Sequence, residues 1–215
     1  MVKVDSIVKG LKEMRSKTKK RKFNQGIDLV LALKDLDVNK PENRLNEELV
    51  LPMSRGRDVK LALIATGELA LQGKKIMDKV ITKKELEELG KDKKAAKGLA
   101  SDYDFFIAQA DLMVAVGKSM GSVLGPRGKM PKPVPPNADL KPLAGRLKKT
   151  IRIRMKETPI IQVSVGTEEM DDKSLAENIE AVLKYLEGKL ARGVDNIRSV
   201  YIKATMGPSV KLEVL

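Results

Sequence analysis

Apolar residues recur in two rhythms along these 215 residues. From Phe23 onward the period is two: Ile27, Leu29, Leu31 and Leu33 fall on one side and Asp28, Val30, Ala32 and Lys34 on the other, which predicts a half-buried strand. Ile151-Arg-Ile-Arg-Met155 repeats the alternation, as do Ile161, Val163 and Val165, and two more strands are predicted over 200–205 and 210–214, joined through Met206-Gly-Pro-Ser209. Leu49, Val50 and Leu51 make a short strand that Pro52 helps to end. The second rhythm is helical. Asp5 and Ser6 are placed to cap a helix bearing Ile7, Val8, Leu11 and Met14, which runs out into the basic stretch Lys17 to Lys22. Leu175, Ile179, Val182, Leu183 and Leu186 share one face of an amphipathic helix over 174–190.

The style of sequence changes after the basic joint Arg55-Gly-Arg57. Residues 59–65 are apolar but for Lys60, the mark of a buried parallel strand. A short helix over 67–73, a second strand over 76–81, a charged helical region over 83–99 punctuated by Gly90, a third strand over 105–108 and a third helix over 110–124 complete a small layered α/β domain, and 140–149 reads as one more helix. The return to two-residue alternation at Ile151 implies that this domain is inserted. The expected organisation is a discontinuous α+β domain over 1–58 and 151–215, with an inserted α/β domain over 59–150. Either outer piece alone would bury too little apolar surface to be secure. The two chain crossings, near 57–60 and 150–152, are the expected hinge.

Charge and composition then narrow the chemistry. Net charge is +13 and the isoelectric point about 9.7, part of the footprint of a nucleic-acid binder. Between Leu112 and Lys156 stand eleven Lys or Arg and one acid, Asp139, a segment that repels itself unless a polyanion lies against it or its charges are simply solvated. With no Cys and no His, thiolate or imidazole catalysis, metal binding by those groups and a disulfide framework are all excluded. No signal-peptide h-region follows Met1 and no apolar run approaches the roughly 20 residues of a membrane span, so the expected location is the cytoplasm. Three Phe and three Tyr are too few for a surface that stacks many bases, so an RNA target is expected to be folded and read by shape.

Several motifs compete for a role. Gly117-Lys118-Ser119 has the ending of a phosphate-cradling loop, but the glycine required five positions earlier is Leu112, and no Gly-x-Gly-x-x-Gly follows the strand at 59–65; no nucleotide cofactor is expected. The acids Glu168, Glu169, Asp171 and Asp172 either hold a divalent cation or, as is favoured, face the positive end of the helix that follows; no metal is expected. The loop from Gly125 to Pro136, with five prolines, is either a stiff connector or a rigid support presenting Arg127, Lys129 and Lys132. In Ser199-Val-Tyr-Ile-Lys-Ala-Thr-Met-Gly-Pro208 a strand delivers a thioether between a hydroxyl and a glycine, a plain hairpin signal that also suits packing on ribose or a base edge.

Leu124-Gly-Pro-Arg-Gly-Lys-Met-Pro131 and Thr205-Met-Gly-Pro208 resemble signatures of the large-subunit ribosomal protein one family, the stalk-base rRNA-binding proteins, in its archaeal form. The resemblance spans essentially the whole chain, including Pro41-Glu-Asn-Arg44 and Gly166-Thr-Glu-Glu-Met170. The chain departs from it after Phe23, where Asn24 and Gly26 replace small hydroxyl residues, and after Pro52, where Met53-Ser54 replaces His-Gly. The resemblance implies a discontinuous, split β-α-β-like α+β domain that binds RNA, with an inserted Rossmann-like three-layer α/β domain. It implies no enzyme but a structural constituent of the large ribosomal subunit. Its partners would be large-subunit rRNA, forming the mobile stalk at the exit site, deacylated exit-site tRNA whose release it assists, and its own operon's mRNA, which it represses; the free protein would be a monomer. Carried residue by residue, the RNA contacts fall on Lys22, Phe23, Gln25, Ser199, Thr205, Met206, Gly207 and Pro208, with secondary basic contacts at Lys19, Lys20, Arg21, Arg127 and Lys129. The rivals left standing are an α/β enzyme acting on a phosphorylated metabolite and a basic surface for an acidic protein.

Overall fold

The computed structural model describes residues 4–38, 40, 45–155 and 158–213. They divide into two compact units, one of residues 1–57 with 149–215 and one of residues 58–148.

The first unit is built on a four-stranded antiparallel sheet of order β10-β9-β1-β8, where β1 is Gly26–Leu33, β8 Ile160–Thr167, β9 Ile197–Ala204 and β10 Ser209–Leu212. Because β8 and β9 both run antiparallel to β1, they are parallel to each other with β1 between them, a split β-α-β arrangement whose crossover is helix α7, Asp172–Lys189. The period-two pattern decides which face is covered. Ile27, Leu29 and Leu31 are fully buried beneath α7 and helix α1, Val4–Lys17, each contributing roughly 1.5–3 kcal/mol of transfer free energy. Among the described residues nothing packs on the other face, where Asp28, Val30, Ser199, Tyr201 and Lys203 stand half-buried. A separate ribbon pairs β2, Asn46–Val50, with β7, Thr150–Arg154, and sends Ile151 and Ile153 into the same core.

The second unit has three layers. Its parallel sheet, of order β4-β3-β5-β6, comprises β3 Leu61–Ile64, β4 Lys79–Ile81, β5 Phe105–Gln109 and β6 Lys132–Val134. Alternate residues feed two cores. Leu61, Leu63 and Ile107 pack with Leu69, Leu140 and Leu147 of α2 (Gly67–Ile76) and α6 (Leu140–Lys148). Ala62, Ile64, Phe106 and Ala108 pack with α3 (Lys83–Lys91), α4 (Lys93–Asp102) and α5 (Met113–Arg127).

Some local expectations are revised. Helix α1 has begun by Val4, so Asp5 and Ser6 lie inside it and do not cap it. Ile76 closes α2, and the second strand starts only at Lys79. The charged helical region breaks at Asp92, whose carboxylate accepts from the N–H groups of Lys94 and Ala95, and not at Gly90. The proline-rich segment is not all loop: Gly125 to Arg127 form the last turn of α5, and 132–134 are a fourth strand. Pro133 is tolerated because β6 is an edge, where a missing N–H leaves no inner ladder bond unmade. Thr150 to Arg152, expected as half of the hinge, are fixed in the β2–β7 ladder. Pro41 to Arg44 and the expected end of the last strand at Val214 lie outside the described residues.

Candidate nucleic-acid interface

Strand β9 leaves the sheet at Ala204 and turns through Thr205, Met206 and Gly207 into β10. The turn is tied down from several directions. Thr205 donates both its N–H, at 2.9 Å, and its hydroxyl, at 3.1 Å, to the Gly26 carbonyl, and the Gly207 N–H reaches the Ala204 carbonyl at 2.9 Å. The Met206 N–H donates to the side-chain oxygen of Gln25 at 3.2 Å. Gly207 is there for space: a Cβ would sit 2.7 Å from the Thr18 hydroxyl oxygen, which is itself held by the Met14 carbonyl at 2.6 Å. The result is a fixed corner from which the Met206 side chain projects, 60% exposed. A large thioether held out in water by so many bonds is an uncommon expense for a folded chain unless another surface covers it.

Beside it lies the segment after α1. Lys19, Lys20, Arg21 and Lys22 are exposed, and Phe23 is 51% exposed. The structure therefore brings Phe23, Thr205, Met206, Gly207 and the basic run to one end of the sheet, joined through Gln25 and Gly26, while Pro208 follows, exposed, on the way into β10. Ser199 is elsewhere. It shares the open face with Thr205 but stands six residues earlier on the strand, roughly 20 Å away at the usual rise. An RNA touching both must cross the residues between them. The motif reading does not single out those residues, Asp28, Ser164, Tyr201 and Lys203, although the period-two alternation places Asp28 on that face. Burial pushes the Asp28 carboxyl above its ordinary value, against the opposing pull of Lys203 and a hydrogen bond with Ser164.

Three of the expected contacts are already engaged within the protein. Gln25 is fully buried; its amide nitrogen donates to the Lys19 carbonyl at 3.2 Å and to the Glu168 carboxylate at 3.1 Å while its oxygen holds Met206. It supports the corner from within the fold. Arg127 donates to the Lys97 carbonyl at 3.1 Å and the Ser101 hydroxyl at 2.8 Å, and Lys129 to the Ala100 and Tyr103 carbonyls at 2.8 and 2.7 Å. Both cations cap the carbonyl end of α4, where a positive charge is favoured by the helix dipole. Gly128 between them takes φ of 68°, the left-handed cap of α5.

Three of the four acids of 168–172 have structural partners. Asp171 caps α7 by accepting from the Ser174 N–H, and hydrogen bonding with Ser174 holds its carboxyl below the ordinary value. Asp172 pairs with Arg15 at 2.8 Å, and Glu168 accepts from Gln25. Among the described residues no group of three or more acids is arranged to hold a metal ion. Gly117-Lys118-Ser119 lies inside α5, so its backbone N–H groups belong to a helix and form no phosphate cradle. Among the described residues no helix is long and apolar enough to cross a membrane.

Comparison with known proteins gives this geometry its context. The curated "Large ribosomal subunit protein uL1" of Methanothermobacter thermautotrophicus is 54% identical over 207 residues, covering 96% of this chain and 98% of that protein. The proteins of the same name from Methanothermococcus thermolithotrophicus and Methanocaldococcus jannaschii are 53% and 48% identical over 209 residues, each covering 97% of this chain and 98% and 95% of their own lengths. The Ribosomal protein L1p/L10e family matches residues 14–208, a span that takes in both units and ends on the corner itself, and the chain belongs to that family.

Proposed function

We propose that this protein is a structural constituent of the large ribosomal subunit that grips folded large-subunit rRNA with the Met206 corner, Phe23 and the Lys19 to Lys22 run. The observation that carries the reading is the corner: an exposed thioether on a backbone already fixed by Gln25, Gly26 and Ala204, beside four exposed cations. A preformed apolar tip flanked by hydroxyl and backbone groups reads the ribose and base edges of a folded RNA, while cations on flexible stems neutralise phosphates without reading sequence. The relatives' shared name, that of a large ribosomal subunit protein, agrees with such a partner. In this reading the bound protein forms the mobile stalk at the exit site, assists release of deacylated tRNA, and acts in the cytoplasm as a monomer until assembled. A folded segment of its own mRNA with the same architecture would compete for the same surface, which makes the protein a repressor of its own translation.

The test is binding of the purified chain to a folded fragment of large-subunit rRNA across a salt series. Affinity is expected to fall steeply with salt. Thr205→Ala combined with Met206→Ala is expected to weaken binding about tenfold or more at fixed salt, beyond the effect of replacing any one Lys of the basic run, with little change in the salt slope. Equal losses from the two kinds of variant would mean that charge alone holds the RNA. Saturable binding of a sugar phosphate under salt that abolishes RNA binding would favour the metabolite enzyme instead.

A further inference from the structure

Immediately behind the corner lies a cavity of about 370 Å³, within the ~300–1,000 Å³ range of small-ligand sites. Its apolar floor is Met14, Ile27 and Ala204, all essentially buried, and Ala204 is the residue from which the strand passes into Thr205 and Met206. The cavity thus lies at the same end of the sheet as the corner. One wall is the guanidinium of Arg15, held by Asp172 and by the carbonyls of Glu168 and Met170. Three partners fix the plane of that group, and a fixed guanidinium plane is a stacking platform for a base. Such platforms matter in a chain with only six Phe and Tyr residues.

The rim identifies the occupant. Lys20 and Glu169 both border the cavity and both are exposed. A carboxylate beside the Lys19 to Lys22 run repels phosphate, so on an RNA-binding surface it is favoured only where it accepts from N–H donors. The Watson–Crick edge of guanine offers two donors side by side, N1–H and the N2 amino group, which match the two oxygens of one carboxylate. Glu168 is the poorer candidate because one of its oxygens already accepts from Gln25. Lys20, exposed on the same rim, supplies a positive charge for a phosphate.

We propose that this cavity takes one unpaired guanine of the bound RNA, stacked on Arg15 over the Met14 and Ile27 floor and read along its Watson–Crick edge by Glu169. The inference rests on the RNA-binding reading above, and the experiment separates the two. Each unpaired nucleotide of the folded rRNA fragment is replaced in turn by an abasic residue, and affinity for the full-length chain is measured. One position is expected to stand out with a loss of about tenfold or more, and to be a guanine. Inosine at that position, which lacks only the N2 amino group, should weaken binding several-fold with the wild-type chain and have no effect with Glu169→Ala, an exposed position whose loss leaves the fold intact. The proposal is overturned if no abasic position stands out while the Thr205→Ala, Met206→Ala variant still binds weakly. It is equally overturned if inosine costs the same with and without Glu169. Loss of any distinction between the corner variant and wild type would remove the functional reading along with it.

Discussion

Replacing Gln25 by Leu separates a contact from a support, because this residue touches the corner, the basic run and the 168–170 turn without reaching solvent. Leucine approximates its volume but makes none of its three hydrogen bonds. The neutral bonds to the Met206 N–H and the Lys19 carbonyl are each worth about 0.5–1.5 kcal/mol, and the charge-assisted bond to Glu168 about 1.5–3 kcal/mol. All three partners lie only partly buried, so water recovers some of this, and the expected loss is about 2–4 kcal/mol. Against the ~5–15 kcal/mol that holds a domain together, the variant remains folded in dilute buffer. Its denaturation midpoint should fall accordingly, with the slope of the transition unchanged. RNA affinity should also fall, because the Met206 backbone must now be ordered on binding, but the dependence of log affinity on log salt should keep its slope, since no cation has been removed. Urea denaturation and a salt series of binding isotherms measure both. A weaker affinity with undiminished stability would refute the argument, because it would mean that Gln25 meets the RNA directly; so would a lowered salt slope.

Two further outcomes follow from the same geometry. Gly207→Ala drives a methyl to 2.7 Å from the Thr18 hydroxyl, so it should destabilise by about 1–3 kcal/mol, and Thr18→Ala in the same chain should recover most of that in a denaturation double-mutant cycle. Asp28, whose folded carboxyl is raised chiefly by burial, favours the native state below its unfolded value near 4 and opposes it as pH rises through the folded value; Asp28→Asn should therefore raise the melting temperature at pH 7 and lose that advantage as pH falls below about 4, as thermal scans across pH 3–7 would show.

The sequence made the strands and helices of the first unit readable because one face of each is wet and the other dry. The alternation of β1 and the stripe along α7 survive in the structure with their buried sets intact. Legibility failed where local composition and tertiary position disagree. Prolines at 131, 133 and 135 argue against a strand, yet 132–134 pair with β5 because an edge tolerates what an inner strand does not. Arg127 and Lys129 look like free cations in a basic loop, and nothing local says that the carbonyl end of α4 lies within their reach. The same limit explains Gln25. Its polarity and its place beside Phe23 suggest contact, but its partners come from Glu168 and Met206, well over a hundred residues away in the chain. The cavity was illegible for the same reason, being assembled from 14–20, 27, 168–169 and 204.

A chain of net charge +13 adheres to any nucleic acid, so the discrimination that a single binding site requires has to come from groups held in fixed geometry and not from net charge. On the proposed reading, the corner meets that requirement through rigidity. Its backbone is ordered during folding by Gly26, Gln25 and Ala204, so little entropy remains to be lost when RNA arrives, and a wrong surface is met by a shape that cannot adapt. The lysines of the adjoining run carry long flexible stems and tolerate many phosphate geometries, which suits attraction and not selection. The Gln25 bond to the Lys19 carbonyl links the two: it anchors the start of the basic run to the same buried amide that holds Met206, so the run begins beside the thioether. On the proposed reading, attraction and recognition reside in different side chains while sharing one support, and a substitution in that support should weaken recognition while leaving the salt-dependent attraction of the lysines in place.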